Sequence, residues 1–187
     1  MSSLDAVGVV IDLLNSQGVP YMVTGSLASN VYGVPRSTKD ADFVIQLQGR
    51  SVGEIFASLA GQFILDPQVS FETVTGTVKH VLRAPDHALV IELFELSQDA
   101  HDQVRFGRRV LIHTMGRNTY LPTPEDVIIT KLLWYHRDHR NKDLDDARNV
   151  LAIQQKRLDS AYLEHWCRTH GTMELLQQLR QQIPPLR

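Results

Sequence analysis

The chain has 187 residues, 43% hydrophobic and 21% charged, a length and balance that suit one domain, or one with a small appendage, and exclude a disordered tail, a collagen-like rod or a low-complexity linker. Its single cysteine, Cys167, excludes a disulfide framework and any multi-cysteine zinc site, and points to a reducing compartment. Nineteen basic against 21 acidic side chains leave a net charge of −2, which argues against indiscriminate nucleic-acid binding.

In chain order, residues 3–17 read as an amphipathic helix, with Leu4, Val7, Ile11 and Leu14 on one face and Gly18 placed to stop it. The start carries no basic region and is interrupted by Asp5 and Asp12, so no signal peptide is expected. No apolar run approaches the ~18–20 residues of a membrane span, and a soluble, cytoplasmic protein with no membrane partner is expected. A short strand, Tyr21–Thr24, runs into Gly25-Ser26 and a helix-compatible segment, Leu27–Tyr32, which Gly33 and Pro35 break before the strand Asp40–Gln46. Residues 51–60 read as a helix. His80–Arg83 and Ala88–Leu96 read as strands around the turn-like Ala84-Pro85-Asp86, with weaker strands at Arg109–His113 and Thr119–Leu121.

The character then changes. Thr123-Pro124-Glu125-Asp126 is a helix start: a hydroxyl N-cap, proline at the first helical position, then acids at the positive end of the dipole. Helices are expected at about 124–137, 143–155, 160–169 and 173–182, the last two capped by Asp159 and Thr172. The expected organisation is an α/β core over 1–121 and a helical C-terminal part over 122–187, packed on it or continuous with it. From Lys131 onward ten Lys or Arg face seven Asp or Glu, and Arg105, Arg108, Arg109 and Arg117 form a second basic patch. That patch reads either as ordinary surface charge or as a phosphate-facing surface.

Chemistry concentrates in a few places. Asp40 and Asp42 stand two apart in an extended segment, so both carboxylates leave the same face while Ala41 and Phe43 point the other way. Paired carboxylates supply hard oxygen ligands suited to Mg²⁺ or Mn²⁺, unless the pair is only a solvated strand end. Gly25-Ser26, at a strand-to-helix turn, can present backbone N–H groups and a hydroxyl to a phosphate. Glu92 is the only charge in Ala88–Phe94, either on an exposed edge or as a third metal-side carboxylate. Lys131 is the only charge in Val127–Tyr135, on the stripe that should face protein. It either snorkels to water or aims an ammonium into a cleft. Asp143 and Asp146 share a helix face and either cap that helix or position Lys131 or a nucleophile. His136 and His139 suit a helix end better than a metal, Cys167 reads as a packed small hydrophobe, and Trp134 and Tyr135 read as core packing ahead of stacking on a base.

Gly25-Ser26, then Asp40-Ala41-Asp42 about a dozen residues later, then an acid on a later strand resembles the nucleotidyltransferase superfamily related to polymerase beta. Within it, Arg36-Ser37-Thr38-Lys39-Asp40-Ala41-Asp42-Phe43, Pro124-Glu125-Asp126, Lys131-Leu132 and Lys142-Asp143-Leu144 with Asp146 look like the abortive-infection branch, the nucleotidyltransferase-like toxins of toxin–antitoxin systems. The resemblance covers roughly residues 20–150. It implies an α/β (α+β) fold, a mixed sheet flanked by helices with a helical C-terminal part. It also implies Mg²⁺ held by Asp40, Asp42 and Glu92, substrate bound through Gly25, Ser26, Arg36, Thr38 and Lys39, and later motifs supplied by Lys131 with Asp143 or Asp146. Glu92 stands where aspartate is more usual. The implied reaction moves a nucleoside monophosphate from a nucleoside triphosphate to a hydroxyl acceptor, RNA such as a tRNA end, with a cognate antitoxin as partner. The rivals are transfer to a small aminoglycoside-like molecule and a non-catalytic nucleotide- or partner-binding module.

Overall fold

The computed structural model describes residues 3–85, 88–114 and 116–184, so Asp86 of the expected turn and the side chain of Leu4 lie outside the described residues. The first element is helix α1 (Ser3–Ser16), whose Val7, Val10, Ile11 and Leu14 are buried, and Gly18, at φ +63°, lets the chain turn back. Strand β1 (Tyr21–Thr24) leads directly into α2 (Gly25–Tyr32), and β2 (Asp40–Ile45) returns antiparallel to β1. The segment expected as one helix over 51–60 is shorter: α3 spans Val52–Phe56, started by a reciprocal Ser51–Glu54 capping box, and tightens into a 3-10 turn over Ala57–Leu59.

Two short strands, β3 (Ile64–Leu65) and β4 (Ser70–Glu72), both pair with β5 (Thr77–Arg83). Strand β6 (Val90–Glu95) then inserts between β5 and β2, antiparallel to the first and parallel to the second. The mixed sheet runs β1-β2-β6-β5-β3, with β4 also on β5. One of its faces is buried through Tyr21, Val23, Ala41, Phe43, Ile45, Leu82, Ile91 and Leu93, which join the hydrophobic core. On the opposite face Met22 and Val44 are covered by Phe106, whereas the stretch around Asp42 and Glu92 borders a cavity.

Helix α4 (Ala100–Arg108), which no sequence expectation placed, follows β6 and precedes the hairpin β7 (Val110–Thr114) and β8 (Arg117–Leu121). Its N-cap is Asp99, whose carboxylate accepts from the Asp102 N–H. The arginines read from the sequence as one patch are divided among α4, the residue after it and β8. Arg105 is buried against Asp102, Arg108 faces Glu125 and Asp126, Arg109 lies over the rings of Phe106 and Tyr120, and Arg117 pairs with Asp12. These arginines serve separate local partners.

The helical part consists of α5 (Pro124–Asp138), α6 (Asn141–Gln154), α7 (Ser160–Thr169) and α8 (Met173–Gln182). Thr123 caps α5 with proline at its first turn, and Asp159 caps α7, as expected. Thr172 does not cap α8; its hydroxyl donates back to the Cys167 carbonyl. Cys167 is itself buried, and one core cluster runs from Val7 of α1 to Leu179 of α8, through both parts of the chain. No helix among the described residues is long and apolar enough to cross a membrane.

Candidate active site

The site is built where β1 becomes α2. Gly25 has φ +59°, and a Cβ placed there would stand 1.8 Å from Oδ2 of Asp42. Only glycine therefore allows this carboxylate to lie against the first turn of the helix, where unpaired N–H groups and the positive end of the dipole favour an anion. The register then aligns Thr24, Asp42, Glu92 and Val81 across four strands, with Asp40 opposite Val90. Cross-strand partners share a face, so Asp40, Asp42 and Glu92 leave the sheet on the same side, and all three line one cavity with Thr24, Gly25 and Ser26.

Charge in this cavity is in excess. Burial, with Asp40 and Glu92 nearby, pushes the Asp42 carboxyl up to about 7, while Lys131 and Lys142 pull it partly back. Asp40 accepts a hydrogen bond from the Thr38 hydroxyl, and Lys79 Nζ holds Glu92 Oε1 at 2.8 Å. Among the described residues no three His, Cys, Asp or Glu side chains converge closely enough to hold a metal by themselves. That does not count against Mg²⁺, which uses one or two carboxylates and completes its shell with waters and substrate phosphates. Asp40 and Asp42 fit that requirement: they are hard oxygen donors whose mutual repulsion a cation relieves. Glu92 stands beside them with its carboxylate drawn to Lys79.

The opposite wall comes from α5 and the start of α6. Lys131 is buried, and its Nζ lies 2.8 Å from both Asp143 Oδ1 and Asp146 Oδ2, so it does not snorkel to water. Asp146 in turn takes Nε and Nη2 of Arg36, each at 2.8 Å, and Arg36 Nη2 also donates to Ser26 Oγ at 2.9 Å. Burial alone would raise the Asp146 carboxyl, but Arg36 and Lys131 outweigh it and hold it below the usual carboxylate range. At the other end Arg140 Nη2 meets Asp143 Oδ2 at 2.8 Å, and its guanidinium lies 5.0 Å from the centre of the Trp134 ring.

The structure thus gathers Gly25, Ser26, Asp40, Asp42, Glu92, Lys131 and Asp143 around one cavity. Arg36 and Asp146 sit behind its wall, Thr38 braces Asp40, and Lys39 lies in an adjoining groove that shares Asp40 and Glu92 and continues over Lys79 and Arg83. Sequence reasoning missed Glu72, Asp102, Thr130 and Arg140 of the lining, met Arg105 only within the basic patch and Lys142 only within the resemblance, and read Trp134 as core packing ahead of base stacking, whereas it lines the cavity. For Asp102 and Arg105 a signal existed: Asp99 opens a helix on which the two stand at i and i+3, joined at 2.5 Å. His136 and His139 are exposed at the end of α5, where His139 adopts the left-handed C-cap conformation.

Several solved structures share this architecture. An antigenic nucleotidyltransferase-like protein from Paracoccidioides brasiliensis matches with TM-score 0.58 and 18% identity over 98% of this chain and 94% of its own. ANT(2″)-Ia, solved with adenylyl-2″-tobramycin, matches with TM-score 0.64 and 12% identity over 93% of this chain and 99% of its own. The lincosamide antibiotic adenylyltransferase LnuA, lincomycin-bound, matches with TM-score 0.52 and 13% identity over 79% of this chain and 95% of its own. At such identities the likeness is one of fold, the nucleotidyltransferase-like mixed sheet with flanking helices. No curated protein sequence matches the chain. A family model described as nucleotidyl transferase of unknown function (DUF2204) matches residues 3–178, nearly the whole chain, and the protein belongs to that family of nucleotidyltransferases.

Proposed function

We propose that the protein moves a nucleoside monophosphate from a nucleoside triphosphate to a hydroxyl acceptor in a Mg²⁺-dependent reaction. The observation that carries this reading is the register that sets Asp42 between Thr24 and Glu92, on the face shared with Asp40 and directly beside the Gly25 turn. Bound Mg²⁺ would supply Lewis-acid stabilisation of the phosphates. The chain's own residues do the rest. The first turn of α2 and the Ser26 hydroxyl bind phosphate oxygens, and Lys131 and Lys142 offset negative charge from the opposite wall. Glu92, turned toward Lys79 beside the two aspartates, is positioned to accept the proton of an incoming hydroxyl. Intact Asp40, Asp42 and Ser26 favour catalysis over a non-catalytic module.

For the acceptor we favour RNA. That choice rests on the sequence resemblance; the groove that adjoins Asp40 and Glu92 adds Lys39, Lys79 and Arg83, of which Lys79 pairs with Glu92 and Arg83 with Asp66, so Lys39 is its contribution toward a phosphate. A toxin role, with an antitoxin partner, rests on the sequence resemblance alone. The second reading, a small aminoglycoside-like acceptor, draws on Glu72 and Asp102 in the cavity lining and on the fold shared with ANT(2″)-Ia. Incubation with each α-labelled nucleoside triphosphate and Mg²⁺, offered total RNA or tobramycin in parallel, separates the two. Label in RNA that is lost in Asp42→Ala supports the favoured reading; label only in the small molecule replaces it with the second. Label in neither overturns both.

A further inference from the structure

Arg36 and Asp146 are the best-satisfied charges near the cavity, yet neither lines it. Arg36 gives Nε and Nη2 to Asp146, Nη2 to Ser26 Oγ and Nη1 to the Ser37 carbonyl, which commits most of its five N–H groups to the protein itself. Asp146 is buried, one oxygen on Arg36 Nε and the other shared by Arg36 Nη2 and Lys131 Nζ. Most of the hydrogen-bonding capacity of both residues is thus spent within the protein, and neither faces the cavity where a substrate would lie.

Their neighbours do. Because Arg36 donates into Ser26 Oγ, the hydroxyl's own hydrogen is left to be given outward, and Ser26 lines the cavity. Lys131 spends two N–H groups on Asp143 and Asp146 and retains a third, and it lines the cavity from the other side. We infer that the Arg36–Asp146 pair is a positioning device for triphosphate binding: the Arg36 fork joins Ser26 of α2 to Asp146 of α6, Asp146 in turn holds Lys131 of α5, and together they aim the Ser26 O–H and a Lys131 N–H at the same phosphates without touching them. Asp146 on this account is a positioning residue, and Asp143, which reaches the cavity, is the member of the acidic pair that can meet substrate. A planar fork is essential to the device, because a lysine at position 36 keeps the charge but cannot hold a bidentate carboxylate and a hydroxyl together.

The inference rests on the nucleotidyl-transfer reading, and calorimetric titration of the full chain with inorganic tripolyphosphate and Mg²⁺ separates the two. Wild type is expected to bind, Arg36→Lys and Ser26→Ala each about tenfold more weakly, and the double variant by clearly less than the product of the two losses. A merely structural role for Arg36 would weaken binding equally in both backgrounds. Asp146→Asn should match Arg36→Lys in affinity, and Arg36→Lys, altering a residue a third exposed, keeps the wild-type melting temperature if Asp146→Asn does not. Equal affinity of wild type and Arg36→Lys, or full additivity with Ser26→Ala, overturns the positioning role while leaving the nucleotidyl-transfer reading in place. Absence of binding by wild type overturns that reading and the inference with it.

Discussion

Two groups of buried carboxylates border α5, and they are built on opposite principles. Asp126 is fully buried and saturated: His101 Nε2 stands 3.1 Å from one oxygen, the Tyr162 hydroxyl donates to the same oxygen at 2.6 Å, and Thr123 Oγ1 donates to the other at 2.9 Å. Burial alone would raise its carboxyl, but these donors outweigh it and hold it below the usual range. The Arg108 guanidinium closes the cluster, 3.8 Å from the centre of the Tyr162 ring. Asp42 faces the cavity with like charges for neighbours and is pushed up to about 7. A carboxylate whose charge is answered by the protein fastens α4 and α7 to α5; Asp42, whose charge the protein does not answer, is the one proposed to meet a cation.

Opposite responses to the same chemical change would sharpen this contrast most. On the proposed mechanism Asp42→Asn is expected to lower nucleotidyl transfer by about 10³-fold or more, since it would remove a proposed Mg²⁺ ligand and its charge together. Without Mg²⁺ it should nonetheless melt higher than wild type at about pH 8, by roughly 2–4 °C for each kcal/mol of relieved charge burial. Asp126→Asn should do the reverse, costing about 3 kcal/mol in denaturant unfolding because it strands the donors of a buried network, with transfer at low temperature within about twofold of wild type. Retained transfer in Asp42→Asn, or an Asp126→Asn as stable as wild type, breaks the comparison.

The same contrast explains what was legible in the sequence. Glu92 and Lys131 stood out because each interrupts an apolar run, and Asp40-Ala41-Asp42 because a strand's alternation fixes where its carboxylates point. Strands β1, β2 and β6 and helices α5 to α8 follow from apolar patterning and recognisable caps. Helix α4 did not, because its buried face is His101, Asp102 and Arg105 as well as Phe106, and a search for apolar periodicity cannot see a charged interior. Strands β3 and β4 are two and three residues long, with Ile64 and Phe71 exposed, so they carry no alternation to read. The composition shift near Leu121 marks where sheet gives way to helices, while the hydrophobic core continues through it.

An intermediate effect is expected where the unpaired charge meets the backbone. Gly25→Ala places a Cβ within 1.8 Å of Asp42 Oδ2 and in a φ region that side chains rarely adopt. Roughly 1–3 kcal/mol of stability should be lost to backbone strain. Transfer should fall by about 10²-fold, because displacing a catalytic group by about 1 Å has consequences of that order. Paired with Asp42→Ala, which removes the obstructing carboxylate, the stability cost of Gly25→Ala should shrink in a double-mutant cycle. A cost unchanged in that background would mean that the backbone conformation alone, and not the contact with Asp42, requires glycine.

The smallest expected effect lies at the far side of the saturated cluster. His170 stacks on Trp166 with ring centres 5.7 Å apart and meets His101 edge-on at 5.1 Å, and its buried Nε2 has no hydrogen-bond partner among the described residues. Burial, then the neighbouring His101, then Arg137 lower its pKa, while Asp99 acts in the other direction. The folded chain therefore refuses a proton that the unfolded chain accepts near 6.5, so this contribution is complete above that value and is lost as the pH falls through it. Asp42 opposes it, since a carboxyl pushed up to about 7 favours the folded chain as the pH falls. Thermal unfolding is therefore compared in the Asp42→Asn background, from about pH 7.5 to about pH 5.5, where only the histidine trend remains in that window. The melting temperature should fall on acidification, and His170→Asn should flatten the slope. If the slope persists unchanged without His170, the buried ring beside Trp166 is not its source, and the histidine side of the comparison fails.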